Sequence, residues 1–196
     1  MSKTTEGAVK NIAKKAVAAN GTTGEVSAGT VTKETMENAS DGLQALFLNS
    51  LKSMYWAENH LVKTLPKMEN AAASTKLQEG IAKHLQQTKN QVKRLEQVFT
   101  MLGVKALAKK CDGMEGITKE GEGIVETTDT GTAARDAGVI MASQQVEHFE
   151  MAAYSGIIQL ATQLGYNDIA SLLQESLTEE QQTSQQLTQL AGTLVN

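Results

Sequence analysis

Residues 47–65 read FLNSLKSMYWAENHLVKTL, and their spacing decides the fold class. Phe47, Leu51, Met54, Tyr55, Leu61, Val62 and Leu65 recur every three or four residues, which places them on one face of an α-helix. A carboxylate, Glu58, stands near the centre of that face. The pattern predicts a first helix from Asp41 to about Ala73, with Asp41 and Gln44 spaced as a capping box. Pro66 lies inside it and leaves the Val62 carbonyl without its amide partner, so a kink is expected there.

Working toward the C-terminus, Thr75 and Gln78 offer a second capping box. A helix follows whose inward row is Leu77, Ile81, His84, Thr88, Gln91, Leu95, Val98 and Leu102. Its steps alternate four and three, the seam of a helical bundle. Gly103 is placed to cap its C-terminus. Residues 104–131 form a connector, with a short helix expected over Cys111 to Glu126. The next long helix is expected from about Thr132 to Leu164, stopped by Gly165. The last starts at Asn167 or Asp168 and runs to about Leu194. Short links make the first and second long helices antiparallel neighbours, and likewise the third and fourth. Two antiparallel hairpins joined by a long crossover give an all-α, ferritin-like four-helix bundle with an extra short helix in the crossover.

Composition agrees. The chain has 196 residues, 40% hydrophobic and 20% charged, with one proline and seven aromatics (one Trp, three Tyr, three Phe). So few aromatics argues against a β-sandwich or barrel. The net charge of -4 gives no global drive toward nucleic acid or anionic lipid. No apolar run approaches the roughly 18 residues of a membrane span, and the N-terminus lacks the apolar stretch of a secretory signal. A single cysteine, Cys111, excludes a disulfide framework within one chain. These features lead to the expectation of a cytoplasmic protein without a nucleic-acid or membrane partner. Residues 1–40 lack Leu, Phe, Tyr and Trp. They are expected to be a flexible tail, or a partner-binding arm, before a bundle domain over 41–196; Ala8 to Asn20 has the pattern of a weak basic helix.

The unusual content is carboxylate. Glu147 shares a face with Ile140, Met151, Tyr154 and Ile158, and Glu150 lies one turn on, toward the edge. Glu180 falls near the centre of the stripe set by Ile169, Leu173, Leu187 and Leu194. With Glu58, three of the four long helices point a glutamate inward near the helix midpoint, and no Lys or Arg occupies the middle of the inward rows. Burying unpaired carboxylates costs several kcal/mol each or forces their pKa values upward. Several at one level are hard to hold in a domain stable by only about 5–15 kcal/mol. A di- or trivalent metal removes the problem; a shared-proton polar cluster is the alternative.

The second helix is the weak member. Carboxylate-bridged di-iron bundles usually place Glu-x-x-His where this chain has Thr88-x-x-Gln91. Of the three histidines, His60 projects off its stripe. His148 points to the surface or a dimer interface. His84 is inward but one turn from the level of Thr88, either a core histidine or a ligand.

These residues carry a family resemblance. Tyr55-Trp56-Ala57-Glu58-Asn59 and Leu65-Pro66-Lys67-Met68 come first. His84-Leu85, Thr88, Gln91 and Arg94-Leu95-Glu96 follow, then Cys111 and Met114-Glu115-Gly116. The set ends with Val146-Glu147-His148-Phe149-Glu150, Tyr154, Leu164-Gly165-Tyr166, Leu172-Leu173, Glu175 and Glu179-Glu180. Over roughly residues 42–192 the ordered set resembles the YciE/YciF family of bacterial ferritin-like stress proteins. The resemblance implies a homodimer, cytoplasmic expression under stress and a di-metal centre. Two departures stand out. Gln86 and Gln87 replace glutamates common after the His-Leu pair, and Ser184 stands near a commonly acidic position. Glu115 and Glu120 match glutamates of the family's connector, Glu115 as a structural group rather than a ligand.

The expectation is a non-haem metalloprotein in which Glu58, Glu147, Glu150 and Glu180 hold one or two iron or manganese ions. With iron, a small-molecule oxidant, dioxygen or peroxide, would be the co-reactant, and Tyr154 can donate a hydrogen bond or an electron. The rival is a dimeric scaffold with a degenerate site, its outer face rich in glutamine (Gln181, Gln182, Gln185, Gln186, Gln189). A catalytic thiol at Cys111 is a third reading; Lys109 and Lys110 would lower its pKa, but no histidine base is near in sequence.

Overall fold

The computed structural model describes residues 33–193, with side chains from residue 40 onward. Of the tail expected over residues 1–40, residues 1–32 lie outside the described residues and 33–40 are helical. Among those described there are five helices and no strand: α1 (Lys33–Ala71), α2 (Thr75–Met101), α3 (Asp112–Thr127), α4 (Ala133–Gln163) and α5 (Asn167–Thr193). Helices α1 and α2 pair, α4 and α5 pair, and α3 lies in the crossover against α4 and α1. This is the ferritin-like bundle with its extra crossover helix.

The inward rows match the periodicity. On α2 the buried side chains are Leu77, Ile81, His84, Thr88, Gln91, Leu95, Val98 and Phe99, with Leu102 buried just beyond. On α1 they include Phe47, Leu51, Met54, Glu58, Leu61 and Leu65; α5 contributes Ile169, Leu173, Glu180 and Leu187. Helix α4 departs from a single stripe. Val139, Ile140, Ala142, Val146, Glu147, Glu150, Tyr154, Ile157 and Ala161 are all buried, because α4 packs against α1, α3 and α5 together. That is why Glu150, expected at the edge of a face, is fully enclosed.

The helix ends differ from the local reading. Helix α1 begins at Lys33, upstream of Asp41, and continues unbroken through Pro66. Gln44, expected to cap, is buried and donates from Nε2 to Tyr166 Oη at 2.9 Å. Its partner Tyr166 also packs on Phe47, ring centroids 5.7 Å apart. At the α1–α2 turn the capping group comes from far away. Buried Asp136 of α4 accepts from Ala73 N (2.6 Å) and Ser74 N (2.8 Å). Gln78 instead reaches back to the Ala72 carbonyl at 2.8 Å. The glycine stops hold. Gly103 (φ 66°) and Gly165 (φ 76°) take the left-handed conformation at the ends of α2 and α4. Val104 N to Phe99 O and Tyr166 N to Ala161 O close the two turns at 3.0 and 2.8 Å.

Close approach of α3 and α4 depends on missing side chains. A Cβ on Gly138 would run into Ile124 Cγ2, and one on Gly121 would lie 3.2 Å from Ala142 Cβ. The crossover helix therefore presses directly onto the helix that carries Glu147 and Glu150.

Candidate metal centre

Four helices bring polar side chains to one level inside this core. Helix α1 supplies Glu58, α2 His84 and Gln91, α4 Glu147, Glu150 and Tyr154, and α5 Glu180. Glu58, Glu150 and Glu180 are 0% exposed, Glu147 1% and His84 3%. Ligand-type atoms of His84, Glu147, Glu150 and Glu180 all lie within 4.8 Å of one another. His84 Nε2 is 3.4 Å from Glu147 Oε1, and its Nδ1 is 3.8 Å from Glu180 Oε2.

Glu58 adjoins this foursome without belonging to it. Its Oε1 accepts the Tyr154 hydroxyl, itself fully buried. Gln91 Nε2 donates to Glu180 Oε1 and, at 3.0 Å, to Glu179 Oε2. Arg94 is the nearest cation, but other carboxylates claim it. It pairs with Glu179 at 3.1 and 3.2 Å and with Glu175 at 3.3 Å, and donates to Ser176 Oγ at 2.8 Å.

The electrostatic consequence is strain on charge. Burial, and then the like charge of Glu180, pushes Glu58, Glu147 and Glu150 well above the usual carboxylate range. Glu180 is pushed up to about 7, chiefly by burial. Burial pushes His84 down to about 4, so at neutral pH its imidazole is uncharged and keeps a lone pair for coordination.

Many of these buried atoms have no partner among the protein groups. Glu58 Oε2, Glu147 Oε2, both Glu150 oxygens, Glu180 Oε2 and both His84 nitrogens are orphaned. Buried polar atoms are nearly always satisfied, so orphans converging on one point fit a missing common partner. Three carboxylates and an imidazole are the donor chemistry of divalent iron, manganese or zinc.

The other candidates stand apart. Thr88 Oγ1 donates back to the His84 carbonyl at 2.9 Å. Gln86 is exposed and Gln87 Oε1 accepts from Thr183 at 3.3 Å. Ser184 donates to Gln144 Oε1 at 2.9 Å. His60 stacks on Trp56, centroids 4.7 Å apart, and meets Thr118 Oγ1 at 2.8 Å; His148 and Glu120 are exposed. Glu115 pairs with Lys110 at 2.7 Å and Lys119 at 3.3 Å. Cys111 is free and buried.

Periodicity places Glu58, Glu147, Glu150 and Glu180 together and leaves His84 open; in the structure Glu58 stands beside the foursome and its place is taken by His84. Its signal was present, since His84 lies in the inward seam of α2. Its level relative to glutamates on other helices depends on axial offsets that no single helix encodes.

Residues 42–196 match the model of a domain of unknown function, DUF892. The chain is 38% identical over 155 residues to protein YciF of Escherichia coli, covering 79% of this chain and 93% of YciF. The crystal structure of that stress protein superposes with a TM-score of 0.75 at 38% identity, over 79% of this chain and 97% of the other. YcfI of Rhodopseudomonas palustris, a protein with a proposed structural role, superposes at 0.72 with 36% identity, covering 74% and 92%. The chain thus belongs to the YciE/YciF family of ferritin-like proteins.

Proposed function

We propose that this chain is a metal-binding stress-response protein of the ferritin-like class, with iron or manganese held by Glu147, Glu150, Glu180 and His84 and flanked by Glu58. The observation that carries the reading is that these four residues, sealed from solvent, carry orphaned oxygens and nitrogens and each bring one ligand-type atom within 4.8 Å of the others. A buried carboxylate cluster without a counter-charge destabilises its host; a cation at that point reverses the sign.

Bound iron or manganese would supply redox chemistry toward dioxygen or peroxide. The chain's own residues prepare the place. Tyr154 holds Glu58 by a hydrogen bond, and Gln91 holds Glu180. Leu61, Leu65, Met68 and Val146 help line a cavity of about 20 Å³ that borders Glu147, room for about one water-sized molecule. The proposal includes a homodimer and a cytoplasmic location. No described helix is long and apolar enough to cross a membrane.

A second reading, a dimeric scaffold with a vestigial site, is favoured by the proposed structural role of YcfI and by the exposed glutamines of α5. Metal analysis separates the two. Protein purified with Fe²⁺ or Mn²⁺ should retain near-stoichiometric metal, and Glu147→Ala and Glu180→Ala should lose it. Metal well below one ion per chain in the parent would favour the scaffold. Undiminished metal in both variants would refute the ligand assignment.

A further inference from the structure

We infer that the centre holds one ion per chain rather than two, because α2 presents the amide of Gln91 where a second ion would need a carboxylate, and Gln91 and Tyr154 hold Glu180 and Glu58 by hydrogen bonds. The inference rests on the metal-binding reading above and narrows it.

The foursome of His84, Glu147, Glu150 and Glu180 converges on a single point. Beside the foursome, the further buried carboxylate is Glu58. Two oxygens of this cluster are already hydrogen-bonded. Glu180 Oε1 accepts the Gln91 amide and Glu58 Oε1 accepts the Tyr154 hydroxyl. Outside the foursome, Glu58 Oε2 and the neutral Gln91 Oε1 have no partners. Carboxylate-bridged bundles draw a glutamate from each of two helices and Glu-x-x-His from each of the other two; α2 offers Thr88-x-x-Gln91 in that place, so a second ion lacks an anionic ligand from α2.

Gln91 is itself fixed from behind. The same Nε2 donates to Glu179 Oε2, and Arg94 holds Glu179 through both of its terminal nitrogens. The carboxylate–guanidinium pair therefore aims the amide N–H groups at Glu180, where carboxylate-bridged bundles would present a ligand. An amide nitrogen has no lone pair to give a cation, so its N–H excludes an ion from the place it points to. Gln91 and Tyr154 are positioning residues that set the stoichiometry.

The test is native mass spectrometry of the full chain titrated with Mn²⁺, with electron paramagnetic resonance on the same samples. The parent should saturate at one Mn²⁺ per chain and show the spectrum of an isolated ion. Gln91→Glu should admit a second ion and give an exchange-coupled spectrum. Gln91→Leu, which removes the donor and adds no ligand, should stay at one ion. Two ions in the parent would overturn the inference and leave the metal reading standing; no ion in the parent would overturn both. One ion in a folded Gln91→Glu, and in Gln91→Glu combined with Tyr154→Phe, would show that these residues are not the block. Should Gln91→Glu not fold, the parent's stoichiometry and spectrum decide alone.

Discussion

Glu150 presents both carboxylate oxygens to the interior without a hydrogen-bond donor for either. No other carboxylate of the site is so bare: Glu58 has Tyr154 and Glu180 has Gln91. Removing its charge should therefore help the metal-free protein and harm the metal-bound one. Glu150→Gln is expected to raise the metal-free stability by about 1–3 kcal/mol and to weaken metal retention. Urea unfolding with and without a chelator checks both signs, and a metal-free variant less stable than the parent would contradict the account. At this scale the sequence was most informative where a residue's role is local. The inward placement of Glu58, Glu147 and Glu180 follows from a 100° turn per residue. The partners of Gln44 and His84 do not, because they lie on other helices.

Among elements, the α1–α2 turn shows how far a cap can come from. Asp136 sits in the first turn of α4, favoured there by the helix dipole, and its two oxygens accept from Ala73 N and Ser74 N. One carboxylate thus serves the start of α4 and the start of α2. Asp136→Ala should cost about 2 kcal/mol by leaving those amides unpaired, read as a lowered urea midpoint with the metal content unchanged. A loss below a few tenths of a kcal/mol would show the turn to be held by packing alone. The regular alternation along α2 made its buried row legible in full. Helix α4 was harder, since apolar and small residues surround it and its burial is set by three neighbours at once.

For the whole molecule, the bundle's topology followed from link lengths, with two tight turns and one long crossover. The axial levels of the helices did not, and those levels determine which polar side chains meet. Their meeting makes the metal-free protein sensitive to pH. A carboxylate whose folded pKa is raised binds more protons folded than unfolded, so its contribution to stability falls as pH rises through that interval. Glu180, moved from 4.5 to about 7, contributes about 3 kcal/mol of loss over that range. Glu58, Glu147 and Glu150 act in the same direction. His84, moved from 6.5 to about 4, opposes them only between those values, where stability gains as pH rises. From about pH 6.5 upward the carboxylates act alone, so metal-free stability should decline through about 7 and beyond, and saturating Mn²⁺ should abolish the slope. Denaturant midpoints across that range, with chelator and with Mn²⁺, check this; a flat metal-free profile would count against the buried cluster.

The most direct test of the central claim is an anomalous difference map from crystals grown with Mn²⁺. The account predicts a single peak bounded by His84, Glu147, Glu150 and Glu180. A map with no peak between these four residues, from crystals whose solution sample binds no Mn²⁺, would contradict it.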